Sequence, residues 1–237
     1  MIRASVRFAP AIFLWYGVTF AGAAAAVCAQ SVVKIVPEPQ AASATGIMVI
    51  VLDAPPAVGT VVTVDGLPVE SNVFGSLIVA ASPARVSGDS TVGVGPALIQ
   101  VAVRTPEDRL GVVDEFLHDI IHEVLPGLVD ARVVSAAGSR NLSGKLEDAR
   151  QAWLHDEFQK TKTKLESILN YLDKRSESQF TFGAADVLHN LVIDVLRIVR
   201  TQEEDPNKIT YDNFIASGVV TVGTAPPSLV NSYPAEN

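Results

Sequence analysis

The sequence contains little cysteine, few aromatic residues and little charge. Cys28 is the only cysteine, aromatic residues make up 6% of the 237 residues, and charged residues make up 19%. One thiol can build neither a disulfide framework nor a cysteine-rich metal module. A disordered chain is also excluded, because 48% of the residues are hydrophobic. A sequence of this composition buries enough apolar surface to fold. We therefore expect a folded protein.

Basic residues are scarce relative to acidic ones. The sequence has 18 Lys and Arg against 26 Asp and Glu, which gives a formal net charge of −8. Proteins that bind nucleic acid need clustered Lys and Arg to neutralise phosphates, and this sequence has no basic stripe. We therefore expect no nucleic-acid partner.

The first 29 residues have the pattern of an export signal. Arg3 and Arg7 precede an apolar run from Phe8 to Phe20, and small residues follow as far as Ala29. A positive end, an apolar middle and small residues at the cleavage site occur in this order in secretory signal peptides. The pattern predicts cleavage after Ala29 and a periplasmic, cell-surface or secreted product that lacks Cys28.

Three other interpretations of this segment stay open. Residues 8–27 approach the roughly 20 apolar residues that span a bilayer, so an uncleaved membrane anchor is one alternative. Lipidation at Cys28 is another, although Val27 stands where a small residue is usual. A mitochondrial presequence is favoured by the absence of acids before Glu38 and opposed by the continuous apolar middle.

Residues 30–104 are predicted to form a β domain. Short runs rich in Val and Ile alternate with clusters of Pro, Gly, Asp and Ser, which is typical of strands joined by tight turns. Asp65-Gly66 predicts a two-residue hairpin turn, because such a turn needs positive φ at its centre. The glycine-bearing run from Ser87 to Gly95 is interpreted as a flexible connection. At least five strands are predicted, in an antiparallel β-sandwich: Val32–Val36, Ile47–Leu52, Thr60–Val64, Val73–Ala80 and Ala97–Arg104.

The β domain also contains a pattern seen in surface proteins. An apolar strand, the segment Ala54-Pro55-Pro56-Ala57-Val58-Gly59 and the strand Thr60–Val64 follow one another. Over residues 47–64 this order resembles the repeats of bacterial immunoglobulin-like and Calx-β-like surface modules. The resemblance implies an immunoglobulin-like sandwich and assigns no family.

Residues 105–204 are predicted to form a three-helix region. Thr105-Pro106-Glu107-Asp108 has the capping hydroxyl, the proline and the acids of a helix start. We expect this first helix to end at Pro126-Gly127. After a connection at 136–144, a second helix is predicted from Ser143 to Lys174 and a third from Ala184 to Arg200.

The second and third helices are predicted to form a long antiparallel hairpin. The second would be about 45 Å long, more than a compact sandwich covers, so its apolar stripe would need a neighbour. This predicts a protein partner or self-association. Aromatic residues are enriched at such contacts, although core packing is the alternative explanation for them. The candidate contact residues are Trp153, Phe158, Leu165, Tyr171, Phe180 and Phe182.

The end of the chain is predicted to return to β structure. Residues 205–224 contain the apolar run Val219–Val222, and residues 225–237 are expected to form a flexible tail. If the returning strand pairs with the sandwich, the helices are an insertion. Otherwise the β and helical regions are separate domains. The fold class is α+β in either case.

His118, His122 and Glu115 are the candidate metal ligands. Residues three and four apart share one helix face, and a histidine pair at this spacing can bind Zn, Cu or Ni. They lie opposite the apolar stripe, so we expect them to be exposed. A catalytic site would need a further ligand, from His155 or His189, and an enclosed pocket.

Other catalytic patterns are weak. The sequence has no Gly-x-Ser-x-Gly, and Ser31 and Lys34 have Ser-x-x-Lys spacing only at the predicted new N-terminus. The favoured hypothesis is therefore an exported, non-enzymatic structural or interaction protein without a cofactor. One alternative is an extracytoplasmic metal-binding protein or metal-dependent enzyme that uses Zn or another divalent metal. The other is a solute-binding or chaperone-like module with its ligand between the β layer and the first helix.

Overall fold

The computed structural model describes residues 31–175 and 178–202. The predicted signal peptide, the returning strand Val219–Val222 and the tail lie outside these residues. The described chain is mixed α+β, as predicted, with two β-sheets followed by a series of helices.

The first sheet has four antiparallel strands and the second has five strands. In spatial order the first consists of β1 (Val32–Val36), β3 (Gly46–Leu52), β7 (Leu77–Ser82) and β6 (Ser71–Phe74). The second consists of β2 (Gln40–Ala41), β9 (Ala97–Arg104), β8 (Gly88–Val94), β4 (Val62–Val64) and β5 (Leu67–Pro68). The prediction of purely antiparallel pairing is wrong at one edge, because β2 runs parallel to β9.

The turns and strands of the β region confirm one prediction and correct two others. Asp65 and Gly66 have φ of 51° and 81° and join β4 to β5, which confirms the predicted two-residue turn. The single strand predicted over 73–80 is instead the β6–β7 hairpin, which turns at Gly75 with φ of 60°. The flexible connection predicted at 87–95 is wrong. It contains β8, which pairs with β9 over seven positions from Gly88↔Val103 to Val94↔Ala97.

The two central strands of the first sheet, β3 and β7, are buried on both faces. Along β3, Ile47, Val49 and Val51 pack into an apolar cluster with the helices. Met48 and Ile50 face the other way, into a cluster that also contains residues of the second sheet. Successive side chains of a strand point to opposite faces, so only a continuous apolar run can satisfy both clusters. Within the described residues, β3 therefore shares one apolar cluster with the helices and another with residues of the second sheet.

A polar network links the two sheets at one end. Arg85, between β7 and β8, donates from Nη2 to Ser82 Oγ at 2.9 Å and from Nη1 to Ser90 Oγ at 2.6 Å. Ser90 in turn donates to the Asp65 carboxylate at 2.9 Å. Ser82 belongs to the first sheet and Ser90 to the second. The network thus satisfies buried polar groups and joins the two layers.

The first helical segment runs from Glu107 to Asp130. It begins with a 3₁₀ helix (Glu107–Val112) and continues through α1 (Val113–Asp119), a π-helical turn (Ile120–Val124) and α2 (Leu125–Asp130). At its start the Asp108 N–H donates to Thr105 Oγ1 at 3.3 Å, as the capping pattern predicts. The predicted end at Pro126-Gly127 is wrong. The preceding π turn places Pro126 near the start of α2, where its missing N–H is tolerated.

Gly127 permits a close contact between α2 and the first sheet. A Cβ at this position would lie 2.7 to 2.9 Å from the Leu77 side chain, so only glycine fits without a shift of Leu77. Gly127, which the sequence predicts to end the helix, instead sets how closely α2 approaches β7.

The single helix predicted over 143–174 is two helices. α3 spans Ala136–Leu154 and α4 spans Phe158–Arg175, and Asp156 between them has φ of 57°. The predicted connection at 136–144 lies inside α3, whose start is capped by Ser135. The sequence shows the break as a one-residue slip in the apolar spacing between Trp153 and Leu154.

The described helices cover one another's apolar faces. α5 spans Phe182–Arg200, close to the prediction, and contacts α1, α4 and β3. The α3 stripe is buried through Leu142 and Leu146, and Leu165 and Leu172 of α4 are fully buried. The chain folds back at Asp156, so neither stripe needs a second molecule. α4 and α5 do form an antiparallel pair, as predicted, but the long helix predicted over 143–174 and its excess apolar surface are wrong.

A buried ion pair joins the two ends of the helical layer. Arg109, in the 3₁₀ helix, donates from Nη1 and Nη2 to the two carboxylate oxygens of Asp194 on α5, at 2.9 and 2.6 Å. The Arg109 side chain is fully buried and that of Asp194 is 14% exposed. The guanidinium also lies 5.8 Å from the centre of the Phe116 ring. This bidentate geometry fixes both helices in one orientation.

Breaking this pair is expected to destabilise the protein strongly. Arg109→Met leaves the Asp194 carboxylate in an apolar environment, and we expect it to lower the free energy of unfolding by about 3 kcal/mol. The double variant Arg109→Met/Asp194→Leu should recover most of this loss, because no charge is left unpaired. Urea denaturation measures both effects.

The matched control is the exposed pair of Lys160 and Glu157. Its atoms are 2.7 Å apart, but the side chains are 57% and 44% exposed. Lys160→Met should therefore change the free energy of unfolding by less than about 1 kcal/mol. An Arg109→Met variant as stable as this control would contradict the assigned role of the buried pair.

Candidate functional site

The two predicted metal-ligating histidines are neighbours on the protein surface. His118 in α1 and His122 in the π turn are both exposed, and their ring centres lie 4.2 Å apart. Phe116, Leu117 and Ile120 of the same segment face the core. The imidazoles thus lie opposite the apolar stripe, where helical spacing predicts them.

The predicted third ligand, Glu115, faces an ammonium group. Lys34 of β1 donates from Nζ to Glu115 at 3.2 Å and to Asp119 at 2.7 Å. Asp119 is almost fully buried. A cation beside Glu115 disfavours a divalent metal there, since like charges repel.

Burial sets the charge properties of this cluster. It raises the pKa of Asp119, and the ion pair with Lys34 offsets only part of that effect. For Lys34, burial acts to lower the pKa, but the bonds to Asp119 and Glu115 outweigh it and the pKa is raised. The ammonium therefore stays charged and holds β1 against α1.

The other histidines do not join the pair. His155 is exposed in the turn after α3, and His189 on α5 has its Nε2 3.6 Å from Asp173 Oδ1. Burial lowers the pKa of His189, and the Asp173 charge offsets part of this effect. Within residues 31–175 and 178–202, no three His, Cys, Asp or Glu side chains are grouped to hold a metal ion. The metal site remains a prediction with two adjacent imidazoles and no described third ligand.

Ser31 and Lys34 do not form a nucleophile and base pair. Ser31 donates from Oγ to Asp53 Oδ2 at 2.5 Å, whereas Lys34 reaches across to α1. The two side chains are thus engaged with different partners, although their spacing fits Ser-x-x-Lys.

The six predicted contact residues do not form one surface. Leu165 and Phe180 are buried, so they contribute to the core. Trp153 and Phe158 pack at the α3–α4 turn with ring centres 5.2 Å apart. Tyr171 meets the Phe180 ring edge-on at 6.0 Å, at the other end of α4, and Phe182 begins α5 with 51% of its surface exposed. Since α4 has 18 residues, its two ends are about 27 Å apart.

A groove between α3 and α4 brings together polar groups of which the sequence singled out only Tyr171. Its volume is about 480 Å³. The lining residues share an outward position on two adjacent helices: Asn141 and Lys145 on α3, and Ser167, Asn170, Tyr171 and Lys174 on α4. The available signal was the spacing of these residues. On α3, Lys145 follows Asn141 by four residues, and on α4 the other lining residues follow Ser167 by three, four and seven, so the lining residues of each helix share one face.

Tyr171 holds one cation of the groove in place. Its hydroxyl donates to Gln179 Oε1 at 2.5 Å, and its ring lies edge-on to the buried Phe180. Lys145 Nζ lies 5.3 Å from the centre of the Tyr171 ring, within the range of a cation–π contact. An aromatic side chain fixed by the core therefore positions an ammonium group at the groove.

Comparisons of the chain with protein-family models, curated proteins and solved structures found no match. Among the helices that the structure describes, none is both long and apolar enough to cross a membrane.

The Lys34 cluster generates a stability prediction. Lys34→Met removes the cation that compensates the buried Asp119 carboxylate, and we expect it to lower the free energy of unfolding by about 1–3 kcal/mol at pH 7. Adding Asp119→Asn should restore most of the loss, because the buried charge is removed as well. Denaturant titration of the two variants measures this, and a stable single variant would contradict it.

His189 generates a pH prediction. Its pKa in the folded protein lies below the ordinary value of 6.5, so the unfolded chain binds more protons in the interval between the two values. The resulting stability is fully present above pH 6.5 and is lost as the pH falls through that interval. His189→Gln should flatten the dependence of the unfolding free energy on pH between 5 and 7.

Proposed function

We propose that the protein acts outside the cytoplasm as a non-enzymatic binding protein. In this proposal an immunoglobulin-like β-sandwich is the base, and the helical layer presents the α3–α4 groove to a partner. The sequence predicts an interaction role for a long apolar hairpin. The proposal retains the interaction role and assigns it to the polar α3–α4 groove.

Contacts between the two sheets support the sandwich. Met48 and Ile50 of the first sheet share one apolar cluster with Val92 and Val101 of the second. Arg85 adds hydrogen bonds to a serine of each sheet. Two sheets packed over a common core on their inner faces are the defining feature of a sandwich.

One observation carries the binding proposal: polar groups meet in a groove on a rigid helical layer. α4 packs on α3 and α5 through fully buried side chains such as Leu165 and Leu172, so the backbone beneath the groove is held in place. Binding sites combine a fixed scaffold with a few converging polar groups. Ammonium, amide and hydroxyl groups are suited to hold a ligand by hydrogen bonds and charge.

Export is tested with the full chain produced in a host that secretes proteins. We expect a processed protein outside the cytoplasm whose first residue is Gln30, because residues 1–29 direct export and are removed. N-terminal sequencing and cell fractionation measure this. Unprocessed protein in the cytosol would contradict the proposal, and unprocessed protein in the membrane would favour the anchor at residues 8–27.

Binding is tested by identifying what accompanies the exported protein. A ligand detected by native mass spectrometry should be reduced in Lys145→Ala/Lys174→Ala and retained in Lys160→Ala, the matched control on α4. The released ligand should be chemically unchanged after incubation with fresh protein. Equal retention by the three proteins would contradict a role for the groove, and conversion of the ligand would indicate an enzyme.

A further inference from the structure

The groove is a positively charged site on an acidic protein. Lys145 and Lys174 form no ion pair with any residue of the described chain, whereas Lys160 and Lys164 on the same helical layer pair with Glu157 and Asp148. The formal net charge of the chain is −8, so this local excess of positive charge differs from its surroundings. Two ammonium groups that have no ion-pair partner among the described residues attract an anion.

The other polar groups that line the groove favour an anion that also carries hydroxyl groups. Asn141 and Asn170 each offer an amide that donates and a carbonyl oxygen that accepts, and the Ser167 hydroxyl does both. A deprotonated inorganic anion or a simple carboxylate only accepts hydrogen bonds, so the amide oxygens would gain nothing from it. A hydroxyl group of the ligand can donate to those oxygens and accept from the amide nitrogens.

The dimensions of the groove suit a ligand of this type. Ser167 to Lys174 covers seven residues of α4, which is about 10 Å along the helix. The volume of about 480 Å³ lies within the range of small-molecule sites, roughly 300–1,000 Å³. Lys145 is held over Tyr171, so one cation is positioned before a ligand arrives, which lowers the entropic cost of binding.

From these features we infer that the α3–α4 groove binds an acidic sugar, with its carboxylate at Lys145 and Lys174 and its hydroxyl groups at Asn141, Ser167 and Asn170. The inference rests on the proposed function, because it names the class of ligand for the same groove. The ligand is a free uronic acid or a uronic acid residue of a longer saccharide.

The experiment titrates the exported protein with three defined probes at low salt, by protein-observed NMR. D-glucuronate carries both the carboxylate and the hydroxyl groups, D-glucose lacks the carboxylate, and acetate lacks the hydroxyl groups. We expect D-glucuronate to bind at least about tenfold more tightly than either of the others, since only it satisfies both sets of groups. Higher salt should weaken its binding.

Variants separate the two sets of contacts. Lys145→Ala/Lys174→Ala should weaken D-glucuronate binding by about tenfold or more, and Lys160→Ala should not change it. Asn141→Ala/Ser167→Ala should weaken D-glucuronate binding severalfold and leave the weak binding of acetate unchanged. All substituted side chains lie on the surface, and circular dichroism checks that each variant is folded.

The outcomes distinguish this inference from the proposed function. Equal binding of D-glucose and D-glucuronate, equal binding of acetate and D-glucuronate, or unchanged binding by Lys145→Ala/Lys174→Ala would overturn the acidic-sugar inference. If a neutral ligand accompanies the exported protein and is lost in the same double variant, the binding function stands and the ligand class is wrong. If D-glucuronate binds as expected but the protein stays unprocessed in the cytosol, the site stands and the extracytoplasmic role is wrong.

An oligosaccharide with one uronic acid residue is titrated in parallel. Its binding relative to D-glucuronate shows whether the ligand is a free sugar acid or a saccharide chain.

Discussion

Burial of both faces of β3 and β7, the central strands of the first sheet, is the constraint on which the rest of the structure depends. β3 and β7 present apolar side chains to the second sheet on one side and to the helices on the other. A sheet of this kind is not stable with either face in water, because burial of its apolar surface supplies most of its favourable free energy. The helical layer is therefore part of the same core as the β region.

This constraint decides which residues are free for binding. The segments packed on the first sheet, α1 and α5, use most of their surface for the core, and α5 is buried on nearly all sides. Arg109 and Asp194 then fix the start of the helical layer to its last described helix. α3 and α4 lie further from the sheet, so their outward faces can carry polar groups without loss of core packing. The groove lies between these two helices.

The candidate sites show how far sequence reasoning reaches. The imidazole pair was found because its residues are four apart on one helix, and its exposure followed from the position of the apolar stripe. The ion pair between Glu115 and Lys34 was not predictable, since 81 residues separate them and only the packing of β1 against α1 brings them together. The groove was missed for the same reason: Lys145 and Tyr171 meet across two helices that we predicted as one.

The sequence by itself determined the elements whose signals are local. The order of strands before helices, the turn at Asp65-Gly66, the cap at Thr105 and the extent of α5 all depend on nearby residues, whose conformational preferences act over a few positions. Tertiary structure alone decided the passage of a helix through Pro126, the pairing of β8 and the burial of Asp119. In each of these cases contacts between distant residues outweigh a local preference, because the apolar surface buried when layers pack stabilises the fold more than one turn or helix signal does.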